Sequence, residues 1–153
     1  MKRGERGLTL VELIVAFTIL SLLTTMALPL ARYRVRVEKE RDLRRAEAEI
    51  RHAIDAYKDV ATQGKIEVKL GTNGYPESLQ VLVDGVKLLQ SAEGKKIKFL
   101  RRIPIDPFTG NRDWGMRSDQ DDPTSTSWGG QNVFDVYSKT YEKAPDGTAY
   151  AEW

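Results

Sequence analysis

The sequence predicts an α+β chain: a long N-terminal helix, apolar in its first half and amphipathic in its second, packed on a small C-terminal antiparallel sheet. Three observations predict it. Leu8 to Ala31 is a run of 24 residues carrying one charge, Glu12. From Leu43 to Ala61 apolar residues return every three or four positions, the period of one helix face. Beyond Gly64 the pattern changes to short alternating stretches broken by Gly and Pro, the signature of brief strands and turns.

The apolar run is long enough to matter. At about 1.5 Å per residue it spans roughly 36 Å as a helix, against a hydrocarbon layer of about 30 Å. The basic MKRGERG before it reads as the start of a secretory signal, but the run is too long for an ordinary one and no A-x-A cleavage site follows. Lys2, Arg3 and Arg6 flank one end and Arg32, Arg34 and Arg36 the other, so flanking charge leaves the orientation open. Glu12 costs about 2.5–3.5 kcal/mol inside such a span and needs a partner, unless it snorkels to the headgroups. Pro29 removes a helix hydrogen bond and predicts a kink or a melted stretch.

Composition narrows the rest. In 153 residues there is no cysteine and one histidine, which excludes a disulfide framework, a thiolate nucleophile and multi-His metal centres. The net charge of +2 resides in residues 1–7, so no basic surface calls for nucleic acid. No P-loop, dinucleotide fingerprint or H-E-x-x-H occurs, and Ser138, Asp135 and His52 lack the spacing of a catalytic triad. No enzyme is expected. His52 is expected to be a surface imidazole.

The second half of the helix turns Leu43, Ala46, Ile50, Ala53, Ile54, Tyr57, Val60 and Ala61 to one side. Arg41, Asp42, Arg44, Arg45, Glu47, Glu49 and Arg51 are expected on the other faces, with Glu40–Arg44 and Glu47–Arg51 as supporting i,i+4 pairs. Gly64 is the expected terminator. Arg32, Arg34 and Arg36 suit anionic headgroups, bridges to Glu38, Glu40 or Asp42 of a neighbouring copy, or plain solvation.

In the remainder, Asn73-Gly74 marks a turn, Glu77–Val83 a short helix, and Pro104, Pro107 and Gly110 a fixed turn. Trp114–Ser118 and Val133–Ser138 read as strands, and Thr148–Ala151 as a third strand completing the sheet. The polar loop between the first two carries Asp119, Asp121 and Asp122, expected to be solvated. Trp114, Trp128 and Trp153 read as packing anchors.

Gly7-Leu8-Thr9-Leu10-Val11-Glu12 resembles the class III signal of type IV pilins and type II secretion pseudopilins: a short basic leader ending in Gly, then an apolar tract with Glu five residues in. Leu8 replaces the more usual Phe, and Pro29 falls where pilin helices often carry proline. The resemblance implies a type IV pilin-like fold, cleavage between Gly7 and Leu8 by a prepilin peptidase, and N-methylation of Leu8. It divides the chain into a leader (1–7), a transmembrane and polymerisation helix (8–31), an amphipathic stem (32–63) and a globular head (64–153). It also implies a single-pass inner-membrane protein with its head in the periplasm, and a partner for Glu12 in the amino group that cleavage creates on a neighbouring copy.

Tyr75-Pro76, Ile103-Pro104-Ile105-Asp106-Pro107-Phe108, Asp135-Val136-Tyr137-Ser138 and the terminal Asp-Gly…Trp resemble the major pseudopilin of type II secretion systems. Phe108-Thr109-Gly110 departs from the usual Trp-Gly. This resemblance implies a homo-oligomeric helical fibre working with other pseudopilins, an inner-membrane platform and a cytoplasmic ATPase. A type IV pilus pilin and a non-polymerising membrane-anchored binding domain remain the alternatives. Relatives hold calcium in the loop after the second strand. Here Ser138–Gly147 offers only Glu142 and Asp146, beside Lys139 and Lys143, against the six to eight oxygens calcium takes. These two are the candidates if calcium binds, and no cofactor is expected.

Overall fold

The structure, a computed structural model, describes residues 9–90 and 94–153, apart from the side chains of Met26 and Leu28. It is α+β, with a small antiparallel component packed on the stem part of a long helix. Helix α1 covers Leu10–Thr62 and runs through Pro29 without interruption. Two compact units meet between Glu38 and Lys39, and α1 contributes to both.

Both ends of α1 are written in local chemistry. Thr9 caps the start: its Oγ1 accepts the Glu12 N–H at 3.3 Å, while Glu12 Oε2 accepts the Thr9 N–H at 3.4 Å. This reciprocal pair is a capping box. At the other end Gly64 sits at φ 67°, its N–H bonding the Ala61 carbonyl and that of Lys65 the Val60 carbonyl. A left-handed residue followed by this double return is a Schellman motif, which a Cβ at Gly64 would strain.

In the second unit Leu43, Ile50 and Ile54 are fully buried, meeting Leu82, Val133, Val136, Trp114 and Tyr150. Each such aliphatic side chain contributes roughly 1.5–3 kcal/mol. Short helix α2 (Leu79–Asp84) supplies Leu79 and Leu82. Strands β1 (Val86–Lys87) and β2 (Lys96–Ile97) pair antiparallel, as do β3 (Gly115–Arg117) and β4 (Asp135–Tyr137).

The expected three-stranded sheet is therefore corrected to two separate two-stranded ladders. The expected third strand keeps one bridge, Lys143 with Ala149, and then coils into a 3-10 turn, Tyr150–Glu152. The reason is aromatic. Coiling stacks Tyr150 on Phe108 with ring centroids 4.2 Å apart and sends its hydroxyl to Glu40 Oε1 at 2.7 Å. A continued strand would alternate its side chains and lose both contacts.

Ladders of two or three residues leave few backbone bonds, so side chains tie the loops. Asn132, fully buried, gives its amide to the Thr72 carbonyl and Asp119 and accepts from Ser118 and the Asp119 N–H. Trp114 donates to the Pro104 carbonyl at 3.0 Å and Trp128 to that of Asn132 at 2.7 Å. Gly115 faces Tyr137 across the β3–β4 pair, and a Cβ there would run into the phenol ring. Gly115→Ala is expected to lower head stability by about 1–3 kcal/mol, the usual cost of overpacking, read as a lower urea midpoint with unchanged m-value.

Candidate functional site

Two features carry chemistry beyond packing: the first unit's bare helix surface, and an ionic cluster in the second. On the helix, Leu10, Val11, Phe17 and Leu23 are each more than 60% exposed, and none of its most apolar 18-residue window is buried. This helix is long and apolar enough to cross a membrane. Three of its threonine hydroxyls are satisfied within the helix: Thr18, Thr24 and Thr25 donate to the carbonyls of Ile14, Leu20 and Ser21 at 2.7–2.8 Å. Such internal bonds suit a surface without water. Pro29 leaves the Thr25 carbonyl without its i+4 donor. Glu12, exposed, is the one charge between Leu10 and Ala31, and among the described residues it is held by the long capping bond to Thr9. Gly7 and Leu8, the expected cleavage and methylation positions, lie outside the described residues. Arg32, Arg34 and Arg36 are all exposed.

The second feature corrects the expectation for Glu47. Its side chain is buried in the apolar stripe, at 1% exposure, and not on a solvated face. The spacing explains why: 47 stands four after Leu43 and three before Ile50, inside the same stripe. Among the described residues its Oε1 has no hydrogen-bond partner, and its Oε2 lies 3.7 Å from Arg51 Nη1, beyond hydrogen-bond reach. Arg51 is committed elsewhere: Nε donates to Asp135 Oδ1 at 2.7 Å, and Nη2 to Val136 O at 3.1 Å and Trp153 O at 2.8 Å. Arg117 adds a bond to Ala151 O and lies 3.5 Å from Asp135 Oδ2. Arg44 does not pair with Glu40 among the described residues; its guanidinium lies over the Trp153 ring at 4.1 Å.

The two sequence motifs of the head meet at Asp106. Fully buried, it accepts the Phe108 N–H on Oδ1 and the Ser138 hydroxyl on Oδ2 at 2.7 Å. That bond fastens the Pro-rich turn to the end of β4. It also accounts for Ser138, whose hydroxyl faces a carboxylate while His52 sits exposed on α1; Ser138, Asp135 and His52 form no relay.

The loop carboxylates act as ties. Burial alone would raise the Asp119 carboxyl, but hydrogen bonds from Asn132, Asn73 and Ser118 together hold it below its usual range. Thr124 holds Asp122 low and Thr148 holds Asp146 low, each through hydroxyl and N–H. Asp121 bonds the N–H groups of Ser118 and Gly129. Asp146 Oδ1 is thus engaged in its own turn, Glu142 is exposed, and no cluster of three His, Cys, Asp or Glu that would hold a metal occurs among the described residues. This donor set does not fit calcium.

Burial pushes the Glu47 carboxyl up to about 7, Arg51 and Arg44 pulling it down less than burial, Asp135 and Asp106 raise it. An acid whose folded pKa lies above its unfolded value near 4.5 stabilises the fold fully below 4.5 and loses that contribution as pH rises towards 7. Chemical denaturation from pH 4.5 to 8 should show a loss on the order of 3 kcal/mol at most from this group. Glu47→Gln should flatten that part of the profile; an unchanged slope would remove Glu47 as its source.

Residues 2–28 match the model of the prokaryotic N-terminal methylation motif. No curated protein and no solved structure matches the chain. The matched segment is the one with the bare apolar helix and Glu12, and its motif is a structural, pilin-type one and not that of an enzyme family. The chain thus carries the N-terminal methylation motif of the type IV pilin and pseudopilin class.

Proposed function

We propose that this chain is the main repeating subunit of a periplasmic pseudopilus, a helical fibre whose growth drives protein export by type II secretion. The observation that carries the reading is the unburied apolar helix with one carboxylate near its start. An uncovered apolar surface of that size does not persist in water. Lipid covers it before assembly and copies of the same helix cover it afterwards. Exchange between two equally apolar surroundings has little hydrophobic gain, so a cytoplasmic ATPase acting through a membrane platform can drive it.

In this scheme a prepilin peptidase removes residues 1–7 at the inner membrane, and Leu8 becomes the methylated first residue. The new amino group lies one residue before Thr9, and Glu12 of an adjacent copy pairs with it. Either charge left alone in the bundle costs several kcal/mol, so the pair selects the stagger between subunits. Residues 8–31 polymerise, 32–63 form the stem, and 64–153 face the periplasm. The resemblance of Tyr75-Pro76, the Asp106 turn and the Asp135–Ser138 strand to the major pseudopilin favours this reading over a surface pilin.

The test is Glu12→Ala in the native host. Membrane insertion and a mature mass beginning at methylated Leu8 should persist, while the yield of fibre, read as chemically cross-linked multimers in intact cells, falls about tenfold or more. Normal fibres from that variant contradict the pairing. Deleting the gene should stop protein export; intact export with loss of motility, adhesion or DNA uptake would make it a pilus pilin, and absence of any fibre an anchored binding domain.

A further inference from the structure

We propose that Glu47 and Arg51 form a proton-operated latch that holds Trp153 on the stem at low pH and releases it when Glu47 ionises. The inference is independent of the assembly reading and rests on how one guanidinium is shared. Arg51 points three hydrogen bonds away from Glu47, two of them to the main-chain oxygens of Val136 and Trp153. Its remaining nitrogen stands 3.7 Å from a buried carboxylate whose other oxygen has no donor among the described residues.

That arrangement is satisfactory only while Glu47 holds a proton. A neutral acid in an apolar stripe tolerates a missing donor; an ionised one does not. On loss of the proton, the carboxylate draws Arg51 Nη1 to hydrogen-bonding distance. Swinging the rigid guanidinium fork then breaks its bond to Trp153 O. Asp135 keeps its contact with Arg117, so β3 and β4 stay paired.

The surroundings limit the other routes. From α1, Arg44 and Arg51 face Glu47; Asp106 faces it from the turn and Asp135 from β4, with Arg117 of β3 behind Asp135. Asp106 is occupied by Ser138 and the Phe108 N–H, Arg44 by the Trp153 ring and Arg117 by the Ala151 carbonyl, so Arg51 is the cation that both bonds the Trp153 carbonyl and stands 3.7 Å from Glu47. A cleft of about 320 Å³ lined by Arg44, Glu47, Arg51 and Trp153 gives the proton a way out to solvent. Residues 149–151 keep ties that do not pass through Arg51, namely the Lys143–Ala149 bridge, Tyr150 on Phe108 and Glu40, and Arg117 on the Ala151 carbonyl, and they act as a hinge for Trp153, whose ring touches Arg44 and Tyr150.

The three tryptophans serve as reporters: Trp153 on the latch, Trp114 in the core and Trp128 in the polar loop. The full chain, labelled with 5-fluorotryptophan and held in neutral detergent micelles, would be followed by fluorine NMR from pH 5 to 8.5. The Trp153 resonance should shift towards its solvent-exposed position with a midpoint near 7, while Trp114 and Trp128 stay put. Glu47→Gln should abolish the Trp153 titration; if that variant does not fold, Glu47→Met serves the same comparison. A Trp153 signal that ignores pH in the wild type overturns the latch. So does a titration that survives the substitution, or one in which all three resonances move together.

Discussion

An apolar helix with a carboxylate near its start has to be covered and has to have that charge answered. The described part of the chain answers neither need. The helix buries none of its most apolar window, and Glu12 touches only the start of its own helix through a long capping bond. The capping box holds the carboxylate beside the helix start, which in the proposed fibre is the side where a neighbour's first residue would arrive. Lipid can cover the helix but not pair the charge. Another copy can do both, which is why we propose a polymer from so few residues.

The head solves a different problem. Its ladders are too short to hold it, and the chain has no disulfide to close its loops. A core on one face of the stem supplies the burial, and buried polar side chains place the loops: Asn132 for the acidic loop, Asp106 for the Pro-rich turn, Arg51 for β4 and the final segment. Each is satisfied by donors or acceptors from distant parts of the chain, so each fixes one arrangement. Glu47 is the exception among the described residues, with an oxygen that none of them satisfies. Buried polar groups without partners are uncommon, and this one lies where the stem, β4 and the final segment converge.

Much of this was legible in sequence. Gly64 ends the helix because the apolar period stops there, and the Schellman bonds follow from that. Leu43, Ile50 and Ile54 declare the stripe. What was not legible depends on long-range pairing. Nothing local says that Asp106 meets Ser138, 32 positions on. The third strand failed because Tyr150 and Phe108, far apart in sequence, compete with strand alternation and win. Glu47 sends two opposed signals in the sequence. Its number places it in the stripe, but its charge argued for solvent, and the apparent i,i+4 partner Arg51 is bound elsewhere.

The central claim is that Glu12 sets how neighbouring helices align, and the absence of native cysteine makes that directly measurable. Single cysteines placed one at a time along residues 10–23 would be oxidised in membranes containing the assembly machinery. With Glu12 present, disulfide-linked dimers should form at a few positions repeating at helical spacing, marking one stagger. With Glu12→Ala the same positions should give weak, unpatterned linking. An identical pattern in both chains would show that apolar packing alone aligns the helices, and the account built on the carboxylate would be contradicted.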